Sequence, residues 1–473
     1  MPSTIFKKSL FLIFLAAYFG LAQQGNYRFN NFGNKTILLA GNVTGSVEDF
    51  GLSYYNPARL TEIKTNGFAF NAKAYEYGTY KLKNAIDENS SPKDSQFRAV
   101  PSTAAGTFSL FGTRFAYSFF TKYATNTRLN YRTGIIKDDV TDILPGQESY
   151  TVDFLINNVL NEQLIGLTWA HAINEKFSLG ISIFGSVYKS EGGTNLEYTI
   201  QAEDNRVAYY RNRPNFRQDS YGLIVKLGAS YHFPKFDFGV NINLPYLEVY
   251  QKGRFNYQNV VSGIGPDNDQ LYNYKLNDLN AKRKEPLGVS LGAGVPIKTH
   301  TLHVNLDYVS GLSSYTRLEV PDIDTGQDAL TSISFEERRK SIINFGVGGE
   351  FYINEFVNLY TGFSTDFNSI STESDVLDVE GNPTINSDLG SDYIHASMGA
   401  ELKLKWANLI LGATHTRSTT DFLSPSSIAS DDLNITENTL AVLSFTRWQF
   451  IVGLDIPFLN KKVDDLLKDE ETE

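Results

Sequence analysis

The sequence predicts an all-β protein, a transmembrane antiparallel β-barrel of about 14 strands that follows an N-terminal plug. Three observations predict this class. Apolar and polar residues alternate along many segments, short and long links join these segments in turn, and aromatic residues form 13% of the chain. We expect residues 1–22 to be a signal peptide, 23–66 a plug, 67–458 the barrel, and 459–473 a charged periplasmic tail.

The N-terminus has the pattern of a secretory signal. Lys7 and Lys8 form its basic region, residues 10–19 are an apolar run, and residues 20–22 are small enough for cleavage before Gln23. No other apolar run has the roughly eighteen residues of a transmembrane helix. The absence of cysteine excludes disulfides and thiolate metal sites. The net charge of −11 disfavours a nucleic-acid partner.

The stretch from Ala40 to Leu60 is irregular and rich in small residues. Its glycines permit tight turns and close backbone approach. Pro57 fixes its own φ and biases Asn56 toward an extended conformation. These properties predict a compact plug rather than a strand or a helix.

This stretch resembles the start of FadL-type outer-membrane barrels, which transport long-chain fatty acids and aromatic hydrocarbons. That segment has the form AGA...DAST-x-x-YNPAGL, matched here by Ala40-Gly41, Asp49, Tyr55 to Ala58, and Leu60. Residues 50–52 depart from the Ala-Ser-Thr run, and Arg59 replaces a glycine. The resemblance implies a gating plug, to which we assign Gly41, Gly45, Asp49, Asn56, Pro57 and Ala58.

Alternation is clearest between residues 165 and 187. Phe177, Leu179 and Ile181 share one face of a predicted strand, and small residues such as Ser178 occupy the other. The predicted strands have roughly ten to fifteen residues, which suffices to cross a bilayer at a tilt. Their apolar face almost never carries a charge, as expected of a face in contact with lipid.

The links between segments predict the topology. Short turns are expected near Gly112, Asn174, Pro234, Lys298, Asn354 and Lys405. Long, polar links are expected at about residues 84–100, 129–162, 189–218, 250–285, 318–340, 370–391 and 420–435. These links join fourteen strands, and an even number places both termini in the periplasm.

The last segment, residues 436–458, also permits two strands that turn near Thr446. The alternate residues from Leu440 to Phe458 fall on one face, and a two-residue turn would need Gly, Asn or Asp at its centre. We therefore predict one final strand that ends in the aromatic Phe458.

Several polar residues are predicted to point inward. His303, Asp307, Glu350, Glu401 and Lys403 are candidates for lining a substrate path. The alternative is a mutually satisfied polar network that packs the barrel interior, because buried charges are normally paired.

Pro245 falls inside the predicted seventh strand. A closed barrel has no edge strand for a proline, so this residue predicts a bulge or a break in the wall. In contrast, the G-x-S-x-G match at residues 288–292 continues a plain strand, and His300 and His303 fall on opposite faces. Neither predicts a catalytic or metal site.

The function implied by the resemblance is passive uptake of hydrophobic compounds, such as long-chain fatty acids, across the bacterial outer membrane. The expected partners are outer-membrane lipid and the substrate, with no cofactor and no metal. The alternative is a non-transporting barrel for surface-protein attachment or secretion, whose loops dock other cell-envelope proteins. An enzyme is not expected.

Overall fold

The computed structural model describes residues 25–63, 67–86, 90–110, 112–138, 144–265, 269–324, 330–371, 377–379, 389–423 and 440–456. The predicted signal peptide, Phe458 and the predicted tail lie outside these residues. The helices of the described part are α1 (Lys35–Leu38), α2 (Leu52–Tyr55) and a 3-10 helix (Pro57–Glu62). None of its helices is long and apolar enough to span a membrane.

The strands of the described chain are β1 (Phe68–Lys83), β2 (Lys93–Leu110), β3 (Thr113–Arg132), β4 (Ile136–Lys137), β5 (Ser149–Ala172), β6 (Phe177–Gln201), β7 (Val207–His232), β8 (Asp237–Asn243), β9 (Leu247–Ser262), β10 (Gln270–Leu279), β11 (Gly288–Ile297), β12 (His300–Val309), β13 (Leu312–Thr316), β14 (Ile323–Asp324), β15 (Leu330–Thr331), β16 (Ile333–Arg339), β17 (Ile342–Asn354), β18 (Val357–Asp366), β19 (Leu377–Val379), β20 (Tyr393–Lys403), β21 (Asn408–Leu423) and β22 (Leu440–Ile456).

One sheet closes on itself to form the barrel. Neighbouring strands are antiparallel, and β1 pairs with β22 from Phe68 opposite Ile456 to Lys83 opposite Val442. β8 and β9 lie in line along β7, and β10 and β11 likewise form one interrupted wall strand. Counted in this way, and without the two-residue β4, the wall has fourteen strands. The predicted fold class is confirmed.

The six predicted short turns are confirmed, because each falls between two paired wall strands. The final strand is also single, as predicted. Thr446 does not turn the chain but pairs with Thr79 of β1 and Arg417 of β21.

The prediction of long loops at 129–162, 189–218 and 250–285 is wrong. Strands β9 and β10 occupy most of the last of these ranges. β5, β6 and β7 have 24, 25 and 26 residues, and only residues 202–206 separate β6 from β7. The alternation continues there with its polarity inverted. Leu196 and Tyr198 point inward and are buried, while Glu197 between them is on the outer face. We call this part of the barrel, built around the buried Leu129, Val152, Phe154, Ile156, Leu196, Tyr198 and Ile200, the crown.

The lower part of the same strands has the surface of a membrane protein. Leu179, Ile183 and Val187 of β6 are 43–46% exposed on the outer face. Ser178 and Ser182, on the inner face, are buried. Exposed apolar side chains on one face and buried polar ones on the other are the pattern of a barrel wall in lipid.

A lysine in place of Ile183 tests the lipid-facing surface. Ile183→Lys should lower the free energy of unfolding in lipid vesicles by about 2–4 kcal/mol, because it places a charge in hydrocarbon. Thr199→Lys is the matched control, since Thr199 lies on the same face of the same strand in the crown. Guanidinium unfolding that gave both variants equal losses would contradict the assignment.

Candidate functional site

Residues 25–63 lie inside the barrel and form the plug. The plug begins near the extracellular ends of two wall strands. There the side-chain Nδ2 of Asn26 donates to the carbonyl oxygens of Asp366 at 2.8 Å and Ser391 at 2.9 Å. The chain then descends through α1, α2 and the 3-10 helix to β1. Its apolar residues, such as Phe32, Leu38 and Leu52, are buried against the wall.

Asp49 folds the plug onto itself. Its carboxylate accepts hydrogen bonds from the backbone N–H of Thr36 at 2.9 Å, the hydroxyl of Thr36 at 2.8 Å and the N–H of Gly51 at 2.9 Å. The local geometry requires glycine at two nearby positions of the plug. Gly41 has φ +75°, and a Cβ on Gly45 would lie 2.4 Å from the carbonyl oxygen of Gly292 in the wall.

Asn56 joins three parts of the structure. Its backbone is extended, as predicted, at φ −163° and ψ 97°. Its Oδ1 accepts the N–H of Ala58 at 3.1 Å and so caps the 3-10 helix that Pro57 begins. Its Nδ2 donates to the carbonyl of Thr44 at 2.7 Å and to that of Ala229 in β7 at 3.1 Å.

A row of wall glycines receives this part of the plug. A Cβ on Gly228 would lie 2.3 Å from Asn56 Oδ1, and one on Gly239 would lie 2.1 Å from the carbonyl oxygen of Thr44. A Cβ on Gly180 would lie 2.5 Å from the backbone of Pro57. The sequence interpretation treated these positions only as a small polar face and missed their role as a seat for the plug.

Four of the five predicted inward residues contact the plug or its neighbours. His303 Nδ1 lies 2.7 Å from Ser46 Oγ, and Asp307 pairs with Arg28 at 3.1 Å. Glu401 pairs with Lys35 at 3.2 Å, and the Tyr360 hydroxyl links Glu401 to Glu350 at 3.0 and 3.1 Å. Lys403 is half-buried at the end of β20, where its backbone N–H donates to Phe356.

Charge keeps Lys35 of the plug protonated. Burial alone would lower the pKa of Lys35, but Glu401 and Glu350 outweigh that cost and raise it above its ordinary value. The pair is therefore a charged link between the plug and β20.

A buried ion cluster crosses the lumen beside the plug. The Arg283 guanidinium lies 4.1 Å from the ring centre of Tyr188 and 4.3 Å from that of Tyr246. It donates to Glu162 at 2.8 Å and Glu285 at 2.5 Å, and Lys122 pairs with both carboxylates. No motif in the sequence indicates this cluster, because its members are far apart along the chain.

A small cavity lies between the plug and the wall. Its lining includes Arg28 and Tyr54 of the plug, with Lys226 and Asp307 of the wall. Arg28 Nε pairs with Asp307, and its Nη2 donates to the side-chain oxygen of Asn42. Its buried Nη1 has no hydrogen-bond partner among the described residues. The Lys226 ammonium lies 3.8 Å from the Tyr54 ring centre, without an ion pair in the described chain.

The wall is interrupted beside this cavity. Pairing of the seventh and eighth wall strands lapses between Asn243 opposite Gly288 and Gly253 opposite Leu279. Pro245 lies in one interrupted strand and Pro286 in the other, and neither has an N–H to donate. We call this interruption the proline seam.

A second interruption separates β2 from β3. Their pairing ends at Thr103 opposite Phe120, above which β2 continues to pair with β1 and β3 with β5. A side-chain contact partly bridges the gap, since Asp94 Oδ2 accepts the N–H of Arg128 at 3.0 Å.

The described residues contain no group of three or more His, Cys, Asp or Glu side chains arranged to hold a metal ion. The Gly288–Gly292 match lies within β11, a plain strand. His303 faces the plug, whereas the ring of His300 packs near Phe351 on the other side of the wall.

The glycine seat can be tested by filling it. Gly228→Val should displace the plug, because the new side chain overlaps Asn56, and protease should then cut the plug at least about tenfold faster. Gly185→Val is the control, because a Cβ there meets its nearest atom only at 3.7 Å. Equal protection of the plug in both variants would show that the seat does not hold it.

Comparison with known proteins found neither a matching family model nor a similar curated sequence. Among solved structures, the Pseudomonas putida toluene transporter TodX is 12% identical, with a TM-score of 0.54 over 90% of this chain and 99% of TodX. A Pseudomonas aeruginosa FadL homologue is also 12% identical, with a TM-score of 0.52 over 93% of this chain and 100% of its own. The chain thus has the fold of the FadL-type outer-membrane channels, a 14-stranded barrel filled by an N-terminal plug.

Proposed function

We propose that this protein is a channel of the bacterial outer membrane for passive uptake of hydrophobic compounds that carry an acidic group, such as long-chain fatty acids. The observation that carries the proposal is the cavity between plug and wall, where the Lys226 ammonium has no ion pair and Arg28 Nη1 has no hydrogen-bond partner among the described residues. TodX is described as a toluene transporter. Toluene has no charge, so the two cations favour an acid for this chain.

The cavity suits a carboxylate. Arg28 Nη1 and the Lys226 ammonium both donate hydrogen bonds and carry positive charge, and charge-assisted bonds of this kind are the strong ones. Asp307 also lines the cavity, but its carboxylate is already paired with Arg28 Nε. The aromatic rings of Tyr54 and Tyr55 provide apolar surface beside the cations.

The apolar chain of the substrate determines the direction of transport. Each CH₂ group gains about 0.8 kcal/mol on leaving water, so an acyl chain moves favourably from water to the lumen and on to lipid. The proline seam lies beside the cavity and faces the bilayer with the exposed Leu247 and Val249. Exit through the wall into the membrane is therefore the proposed final step.

The plug is the proposed gate. Asn56, Pro57 and Ala58 form its stiff point, and Gly41 and Gly45 are the positions at which the backbone can turn. Asp49 keeps the two halves of the plug together. A shift of this unit away from the glycine seat would open the cavity toward the periplasm.

A second candidate function is surface-protein attachment or secretion. The crown favours it, because β5, β6 and β7 extend well beyond the roughly 9–11 residues that a membrane crossing needs. Loss of the gene should then leave growth on fatty acids unchanged, and the purified barrel should carry stoichiometric protein partners.

Removal of one cation tests the choice of substrate. Lys226→Met should weaken binding of dodecanoate roughly tenfold or more, because a charged hydrogen bond is worth about 1.5–3 kcal/mol. Binding of dodecanol should not change. Calorimetry on the detergent-solubilised barrel measures both, with Lys189→Met on the outer face as the control. An equal loss for the acid and the alcohol would exclude a carboxylate site.

Substitution of the stiff point tests the gate. Asn56→Ala combined with Pro57→Ala removes three hydrogen bonds and the fixed φ, so uptake of radiolabelled fatty acid should change by roughly threefold or more. Barrel levels in the outer membrane must stay normal. Unaltered uptake at normal levels would remove the gating role.

A further inference from the structure

A histidine joins the plug to the periplasmic end of the wall. His232 Nδ1 lies 2.7 Å from Asp237 Oδ1, and its Nε2 lies 2.9 Å from Glu62 Oε1 at the end of the 3-10 helix. Asp237 also pairs with the buried Arg59 of the same helix at 3.2 Å. We call His232, Asp237, Arg59 and Glu62 the latch.

We propose that the latch is a proton-controlled fastening of the plug, closed when His232 is protonated and weakened when His232 is neutral. This proposal rests on the proposed function for its biological meaning, because it adds regulation to the same gate. The geometry of the latch itself does not depend on the substrate.

The number of N–H groups on the imidazole ring depends on its protonation. Both ring nitrogens of His232 lie within hydrogen-bond distance of a carboxylate oxygen, and only imidazolium has two N–H groups to donate. In the neutral ring, one nitrogen turns a lone pair toward a carboxylate, which repels it. Loss of the proton therefore breaks the contact with either Asp237 or Glu62.

The surroundings agree with a charged ring. His232 is the last residue of β7, next to the periplasmic turn, and its backbone N–H donates to the carbonyl of Lys176 in the adjacent turn. Partial burial alone would lower the pKa of His232, but the bonds to Asp237 and Glu62 outweigh burial and raise it. The charged groups in contact with the ring are Asp237 and Glu62, and Arg59 pairs with Asp237.

The sign of the pH effect follows from linkage. A histidine whose pKa is higher in the closed state stabilises that state fully below its ordinary pKa of about 6.5. This contribution is lost as the pH rises through the higher value of the closed state. Arg59 stays paired with Asp237 throughout, so the plug is loosened rather than detached.

The chain has no cysteine, so a single introduced thiol can report on the plug. Ser53 is fully buried in α2 next to the latch helix, and its hydroxyl has no partner among the described residues. A polar maleimide should react with the Ser53→Cys variant only when the plug loosens. Because thiolate fraction also rises with pH, each rate is divided by that of Glu175→Cys, whose position is an exposed turn.

This rate ratio should rise roughly threefold or more between about pH 5.5 and pH 8.5, because the latch loses its proton over this range. His232→Gln should hold the ratio at its high value at every pH. Glu62→Gln, which removes only the plug-side partner, should flatten the response. His171→Gln, at an exposed histidine of the neighbouring hairpin, should leave the response intact.

A flat ratio in the chain with native His232, or a pH response that survives His232→Gln, overturns the proposal. Fatty-acid uptake measured in parallel separates it from the proposed function. A pH-dependent ratio with uptake that is insensitive to plug substitutions keeps the latch and removes the gate.

Discussion

The structure depends on one constraint: a backbone N–H or C=O group in hydrocarbon has no water to bond to. The wall meets this constraint by closing, with β1 paired to β22 along almost its whole length. Among the described residues, wall pairing is interrupted at the proline seam and between β2 and β3. Both interruptions have the plug and its polar contacts behind them, and the cavity between plug and wall adjoins the proline seam.

The sequence predicted the membrane part of the fold well, because the period of two is a local property that lipid enforces at every strand. The six turns and the fourteen strands follow from it. The crown escaped prediction for the same reason. Outside the bilayer the polar face turns outward, so its residues resemble loops although Leu196 and Tyr198 continue the alternation.

The candidate site was predictable only in part. The motif located Asp49, Asn56 and Pro57, whose hydrogen bonds are mostly within the plug and so are encoded locally. Arg28, Lys226 and Arg283 gave no signal, because their environment is assembled by the barrel. Arg283 and Glu162, for example, are 121 positions apart in the sequence. A lone cation in a sequence does not reveal whether the fold will give it a partner.

Charge inside the barrel is mostly balanced. Buried ions are costly unless they are paired and hydrogen-bonded, and the Arg283 cluster meets both conditions. Lys226 differs from it, since no described carboxylate pairs with its ammonium. An ammonium without a carboxylate partner is a group that can receive an anionic ligand.

The pairing of β1 with β22 also bears on biogenesis. Phe68 pairs with Ile456, so the first and last strands of the wall can join only after nearly the entire chain has reached the periplasm. Until then, both strands have unpaired edges to which other chains can bind. The cell must therefore protect the open edges of an incomplete barrel. The plug must either be inside the barrel when it closes or enter it afterwards.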